Sequence, residues 1–232
     1  GMADTPNPER EIRILEAASK MIAHYGYDKT TMSDIAEAAG VSKGALYLHW
    51  KSKDALFEAL ILHESGRVLD DLIHLIDTEP ELTSIFSIFG LALKVTTRNP
   101  LIQALVTKDG RVLGDYTRKL DSAFVADANL FRLEFVRHLQ AARVVRADLS
   151  AEVIAHFMAI VRYGYLTIGE VVPVAQQPPI DDVSTALALL LDTALRPADG
   201  GDPEAAKQVV VQALANMRPM LEKMKAKGSR SL

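Results

Sequence analysis

Between Thr31 and Trp50 the chain carries two short helical patterns joined by a single glycine, and few folds accommodate such a pair. Thr31 with Asp34 three residues later resembles a capping box. Ile35, Ala36 and Ala39 follow at helical spacing, and Gly40 offers the positive φ of a tight turn. Ser42 then caps a second segment, Lys43 to Trp50. Two short helices around a Gly-containing turn are what a helix-turn-helix needs. Ala36 and Ala39 are small enough for the helices to cross closely, and Val41 can plug the space beneath the turn. Ile35, Leu46 and Trp50 are expected to pack back onto the helix that precedes them.

The rest of the chain is also punctuated as helices. Asn7-Pro8 offers a cap and an N1 proline, Ile14, Leu15, Ala18, Met21 and Ile22 recur on one face, and Gly26 supplies a left-handed stop. Ser52 opens a long stripe that includes Leu56, Phe57, Leu60, Leu69, Leu72, Ile73 and Ile76. Pro80, Pro100 and Asp109-Gly110 divide the chain beyond that stripe, predicting helices over about 82–98 and from about 101. Tyr116, Leu120, Phe124, Phe131, Phe135 and Leu139 predict one long amphipathic helix from Asp115 to Ala142. Ser150 caps a helix that ends before Pro173, and Pro178-Pro179 precedes another over about 181–196. Both are apolar on more than one side, so they must be buried centrally or against a partner. Asp202-Pro203 starts a last helix with a basic end. No strand pattern is evident, and the expected fold class is all-α.

Composition sets outer limits. A length of 232 residues with 49% hydrophobic and 24% charged residues implies a folded core, in one domain or two closely joined. The absence of cysteine excludes a disulfide framework and thiolate metal sites and fits a reducing compartment. The start, Gly1-Met2-Ala3, lacks the features of a signal peptide, and Gly1 reads as a cloning remnant. No apolar run reaches the roughly 18 residues of a membrane helix, so no membrane partner and a cytoplasmic location are expected. A formal net charge of -4 gives no general affinity for nucleic acid. Across residues 26–53, Lys29, Lys43, Lys51 and Lys53 stand against Asp28, Asp34 and Glu37, so non-specific attraction should be weak.

The second short helix nonetheless carries groups suited to a DNA groove. Lys43 reaches guanine or phosphate, Gly44 and Ala45 keep the approach thin, and Tyr47 and His49 suit phosphate. Thr31, Ser42 and Lys53 stand at helix starts, where hydroxyls, free N–H groups and positive dipole ends meet phosphate oxygens. Elsewhere, Phe86, Phe89, Leu93, Tyr116, Phe131, Phe135, Met158, Arg162 and Tyr163 are candidate walls of an effector pocket, although aromatic stripes at helical spacing mostly pack as core. Arg162 stands out because it interrupts an apolar helix. His24, His49, His63, His74, His138 and His156 are scattered without the spacing of a zinc helix. No phosphate loop, nucleophile elbow or carboxylate pair appears, so no metal, cofactor or enzymatic activity is expected.

Ile35-Ala36, Ala39-Gly40-Val41-Ser42, Gly44, Leu46-Tyr47, His49-Trp50, Ser52-Lys53 and Leu56, taken in their spacing, resemble the N-terminal signature of the TetR family. The resemblance covers roughly residues 12–60, with Trp50 where the family more often has Phe. It implies a DNA-binding domain over 1–52 and an effector-binding and dimerisation domain over 53–232. It further implies a homodimer whose subunits meet through the helices at about 151–171 and 181–196. The family's logic is that a small molecule swings the long helix, here Ser52 to Asp77, and so respaces the two reading heads on a palindromic double-stranded operator. The expected function is thus a ligand-released repressor. A helical protein that binds DNA or protein without sequence readout, and a helical carrier or enzyme, are the alternatives.

Overall fold

The computed structural model describes residues 7–79, 82, 84–120 and 122–230, with side chains for these except 122–131, 220 and 224–230. Its helices in chain order are α1 (Pro8–Tyr25), α2 (Met32–Ala39), α3 (Lys43–His49), α4 (Lys53–Thr78), α5 (Ile85–Thr97) and α6 (Pro100–Thr107). They are followed by α7 (Gly110–Leu113), α8 (Ser122–Ala141), α9 (Ala151–Thr167), α10 (Ile180–Leu195) and α11 (Ala205–Arg230). The fold is all-α, with no strand among the described residues.

The described residues fall into two compact units, one within 7–67, 99–120 and 219–230, the other within 68–98 and 122–218. The first therefore takes in more than residues 1–52, and the continuous helix α4 contributes to both. In the first unit, Ile14, Leu15, Ala18 and Ile22 of α1 share one buried core with Ile35, Leu46, Trp50, Phe57 and Leu60. Leu101, Ala104, Leu113 and Tyr116 complete it from the later segment. The turn after α1 sits against that segment: the Tyr27 N–H donates to the Val112 carbonyl at 2.8 Å, and the Asp115 N–H donates to Asp28 Oδ1 at 2.9 Å. Gly26 has positive φ as expected, but its ψ of 160° is extended rather than left-handed helical. Glycine is needed there because a Cβ would stand 2.8 Å from the Arg111 carbonyl oxygen.

The second unit is built on α5 and α10, with α9 beside α5 and α8 beside α9. Gly90 of α5 is buried against α10, where a Cβ would make ordinary contact with the Ser184 carbonyl oxygen at 3.6 Å. Lys94 pairs with Asp181 at 2.6 Å, and the Tyr165 and Ser184 hydroxyls lie 3.1 Å apart.

Two helix boundaries differ from expectation. Helix α5 begins at Ile85 rather than near Leu82, because Ser84 and Ser87 cap each other reciprocally. The long helix expected from Asp115 starts only at Ser122. Gly114 takes a φ of 51°, and Gly114–Arg118 forms a tight 3-10 turn whose Tyr116 is committed to the first core.

Candidate nucleic-acid interface

Helices α2 and α3 owe their existence to side-chain caps. The Thr31 hydroxyl accepts from the Asp34 N–H at 3.1 Å while the Thr31 N–H donates to Asp34 Oδ2 at 3.1 Å. The Thr31 hydroxyl, then the Thr31 N–H, hold the Asp34 carboxyl below its ordinary range. Gly40 ends α2 in the left-handed conformation, φ 67° and ψ 33°, and Val41 closes the turn through its N–H to the Ala36 carbonyl at 3.0 Å. Ser42 then caps α3 by accepting from the Ala45 N–H at 3.0 Å. The Ser42 hydroxyl keeps its own hydrogen as a donor after accepting this bond.

Ala36, Ala39, Leu46 and Trp50 are buried, and one edge of α3 is left open. On it, Ser42, Lys43, Gly44 and Tyr47 are exposed, Tyr47 to 42%. A Cβ at Gly44 would meet only the Ser42 hydroxyl, at 3.9 Å, so the backbone there can be approached closely. Ala45 departs from the expected edge: it is 6% exposed, turned to the inner side of the helix with Leu46. Leu48, which sequence reasoning passed over, is 47% exposed next to Tyr47. It offers an apolar surface of the kind that meets a thymine methyl.

His49 and Lys53 are tied into the protein. His49 Nε2 accepts from Arg10 Nε at 3.2 Å, and its ring lies 5.3 Å from that of Trp50. Burial, then the Arg10 charge, pushes the imidazole below its ordinary range, with Glu11 opposing. Lys53 Nζ donates to the carbonyls of Tyr27 at 2.7 Å and Thr30 at 3.1 Å, and sits 4.1 Å from the Tyr27 ring centre. Burial lowers its pKa. Its ammonium is therefore turned to the backbone after α1, where the Tyr27 carbonyl also accepts from the Thr30 N–H at 3.3 Å, and is not held outward for the phosphate contact expected of it. Tyr27 in turn donates to Asp54, which also receives Lys119, and its ring packs on Phe57 and Tyr116. Burial drives the Tyr27 hydroxyl up to about 12.

The candidate effector walls are dispersed. Tyr116 is 5% exposed within the first core, 4.4 Å from the Phe57 ring, so its ring is used in packing rather than in a pocket wall. In the second unit Phe86 and Leu93 are buried, Phe89, Phe135, Met158 and Arg162 are half-buried, and the Phe131 side chain lies outside the described residues. Tyr163 is 55% exposed and so lines no interior space of its own subunit. Phe86 borders a cavity of about 40 Å³ with Ile85, Val144, Asp192 and Arg196, space for a few waters rather than for an effector.

The two helices expected to be buried centrally or against a partner are each open on one side in the single chain. Val153, Phe157 and Ile160 of α9 are 58%, 44% and 57% exposed, in line with Tyr163. Leu189 and Leu190 of α10 are each 66% exposed. Exposed apolar faces of this kind are found at association surfaces. No described helix is long and apolar enough to cross a membrane.

Comparison with known proteins bears on the same elements. Residues 14–60 match the family model for bacterial regulatory proteins of the tetR family. The chain is 28% identical over 201 residues to the HTH-type transcriptional repressor AcnR of Corynebacterium jeikeium, an alignment covering 84% of this chain and 96% of that one. Two solved structures share the fold. The transcriptional regulator FadR from Bacillus subtilis, in complex with stearoyl-CoA, superposes with a TM-score of 0.57 at 18% identity, over 78% of this chain and 97% of that one. NalD, the secondary repressor of the MexAB-OprM multidrug efflux pump in Pseudomonas aeruginosa, gives 0.57 at 16% identity, over 81% and 97%.

Proposed function

Since this chain belongs to the TetR family of DNA-binding bacterial transcriptional regulators, we propose that it is a repressor that grips a palindromic operator as a homodimer and releases it when a small molecule binds its larger unit. The observation that carries this reading is the open edge of α3, where Lys43, Gly44 and Tyr47 stand exposed while Leu46 and Trp50 anchor the helix from behind. A helix presented in this way fits the major groove. Lys43 takes a base edge or phosphate, Tyr47 a phosphate, the Ser42 hydroxyl donates to a phosphate at the start of α3, and the free N–H groups that follow Thr31 meet another at the start of α2. His49 adds a neutral donor from the end of α3.

The homodimer forms through the exposed apolar faces of α9 and α10, because two copies cover what one leaves open. Its heads reach half-sites one helical turn apart, roughly 34–36 Å. Helix α4 follows α3 directly and runs on into the second unit, so a ligand with unequal affinity for two settings of α4 shifts the dimer between operator-competent and incompetent spacings. The effector is small and largely apolar, with half-buried Phe89, Phe135 and Met158 on its walls and Arg162 for a polar group. FadR, whose structure contains stearoyl-CoA, is a relative in fold that accommodates a partly apolar molecule.

The test is selection of duplexes by the purified protein from a random library of roughly 30 base pairs, long enough to span the two half-sites, followed by anisotropy titrations over a salt series. A recovered palindrome, bound tightly at two subunits per duplex, supports the proposal. Equal affinity for the selected and a scrambled duplex would overturn it.

A further inference from the structure

The hydrogen bond between the first turn of α1 and the last residue of α3 has a chemical polarity. Arg10 donates from Nε to His49 Nε2 at 3.2 Å. A guanidinium has donors and no acceptor, so Nε2 must present its lone pair and the ring proton resides on Nδ1. The other constraints agree. Trp50, 7% exposed in the core, holds the ring from one side at a 33° tilt. Arg10 and Glu11, both on α1, are the charged groups acting on the imidazole, and burial with Arg10 outweighs Glu11 to favour the uncharged ring. Nδ1 has no hydrogen-bond partner among the described residues.

We propose that Arg10 is a positioning residue of the DNA interface: it fixes His49 as the neutral Nδ1–H tautomer and leaves that N–H to donate to a phosphate oxygen. In free water imidazole prefers the opposite tautomer, so without the arginine the donor points elsewhere and the ring also becomes free to charge. Arg10 lies outside the α2–α3 motif, which is why the motif gives no hint of it. The inference rests on the DNA-binding reading above, but its first test does not need DNA.

That test is a long-range proton–nitrogen spectrum of the full-length protein labelled on histidine nitrogen, with His49 assigned by its loss in His49→Gln. The wild type is expected to show Nδ1 protonated at neutral pH, and Arg10→Gln to shift His49 toward the Nε2–H form. An Nε2–H tautomer in the wild type overturns the proposal outright. The second test uses the duplex selected by the wild type. Arg10→Gln is expected to weaken binding on the order of fivefold, the size of one hydrogen bond. Arg10→Lys, whose ammonium also donates and cannot accept, is expected to recover affinity only to the extent that its spectrum regains Nδ1–H, and recovery of wild-type affinity with the Nε2–H form would show that charge alone matters and overturn the proposal. Arg10→Gln should also bind more tightly as pH falls from 8 to 6, because the freed ring gains a proton that the polyanion favours. That gain should vanish in Arg10→Gln/His49→Gln, and a pH profile identical to wild type would count against the tautomer role. If the wild type binds no duplex at all, the DNA reading falls while the tautomer result still stands on the free protein.

Discussion

The ammonium of Lys53 lies 2.7 Å from the carbonyl oxygen of Tyr27 and 4.1 Å above the centre of the same residue's ring. One side chain thus satisfies the chain end of α1 and caps the aromatic cluster of Tyr27, Phe57 and Tyr116, while starting α4 immediately behind α3. Lys53→Met keeps much of the stem and removes the charged donor. The expected result is a loss of about 1–3 kcal/mol in stability, read from urea unfolding. Affinity for the selected duplex, corrected to folded protein, should fall less than in Lys43→Ala; an unchanged unfolding midpoint would refute the structural role.

Lys43→Ala and Tyr47→Ala remove exposed groups from the open edge of α3. Each is expected to weaken binding to the selected duplex by roughly 1–3 kcal/mol, with Lys43→Ala also flattening the salt dependence. Thermal unfolding should be unchanged, since neither side chain is buried. Ala45→Leu tests the opposite side of the same helix: at 6% exposure it has little room, and overpacking should cost about 1–3 kcal/mol of stability.

Thr31→Ala should destabilise by about 0.5–2 kcal/mol through loss of the α2 cap. Acid titration separates the partner's share. The Asp34 carboxyl is held low by Thr31 in the folded protein, so the ionised form contributes stability above the ordinary carboxylate value near 4. That contribution is lost as pH falls through the lower folded value. Asp34→Asn should therefore flatten the stability profile below about pH 5, and an unaltered profile would mean that the capping box contributes nothing.

Phe157→Glu and Leu189→Glu each place a charge on the open apolar faces of α9 and α10, where the native residues are 44% and 66% exposed. Both variants should sediment as folded monomers at concentrations where the wild type is a dimer. Dimers of undiminished stability in both would move the interface elsewhere.

The helix-turn-helix was legible because its information is local: Thr31, Ser42 and Gly40 are caps and a turn whose roles are fixed by residues one to four positions away. Leu46 and Trp50 were legible as core for the same reason, being large apolar groups four positions apart, one on the inner face of α3 and one just past its end. Side chains whose partners lie far along the chain were not. Lys53 looked like a phosphate ligand until Tyr27 and Thr30 were brought beneath it, and Ala45 is too small to declare its side. Tyr116 had the spacing of a helix face, but Asp28, 87 positions away, takes the Asp115 N–H and turns the segment into a tight bend. The walls of the effector pocket were illegible for a related reason: half-buried aromatics in helices pack or line a cavity according to the position of other helices.

The contribution of Leu101, Ala104, Leu113 and Tyr116 to the first core bears on how the protein is made. A nascent chain that has delivered only its first sixty or so residues lacks one wall of that core, and the reader closes only after residue 120 has left the ribosome. Grafting the first sixty residues onto a foreign body would carry the letters of DNA recognition without the keystone that holds them upright; a working chimera would have to bring the stretch from Asn99 to Leu120 with it.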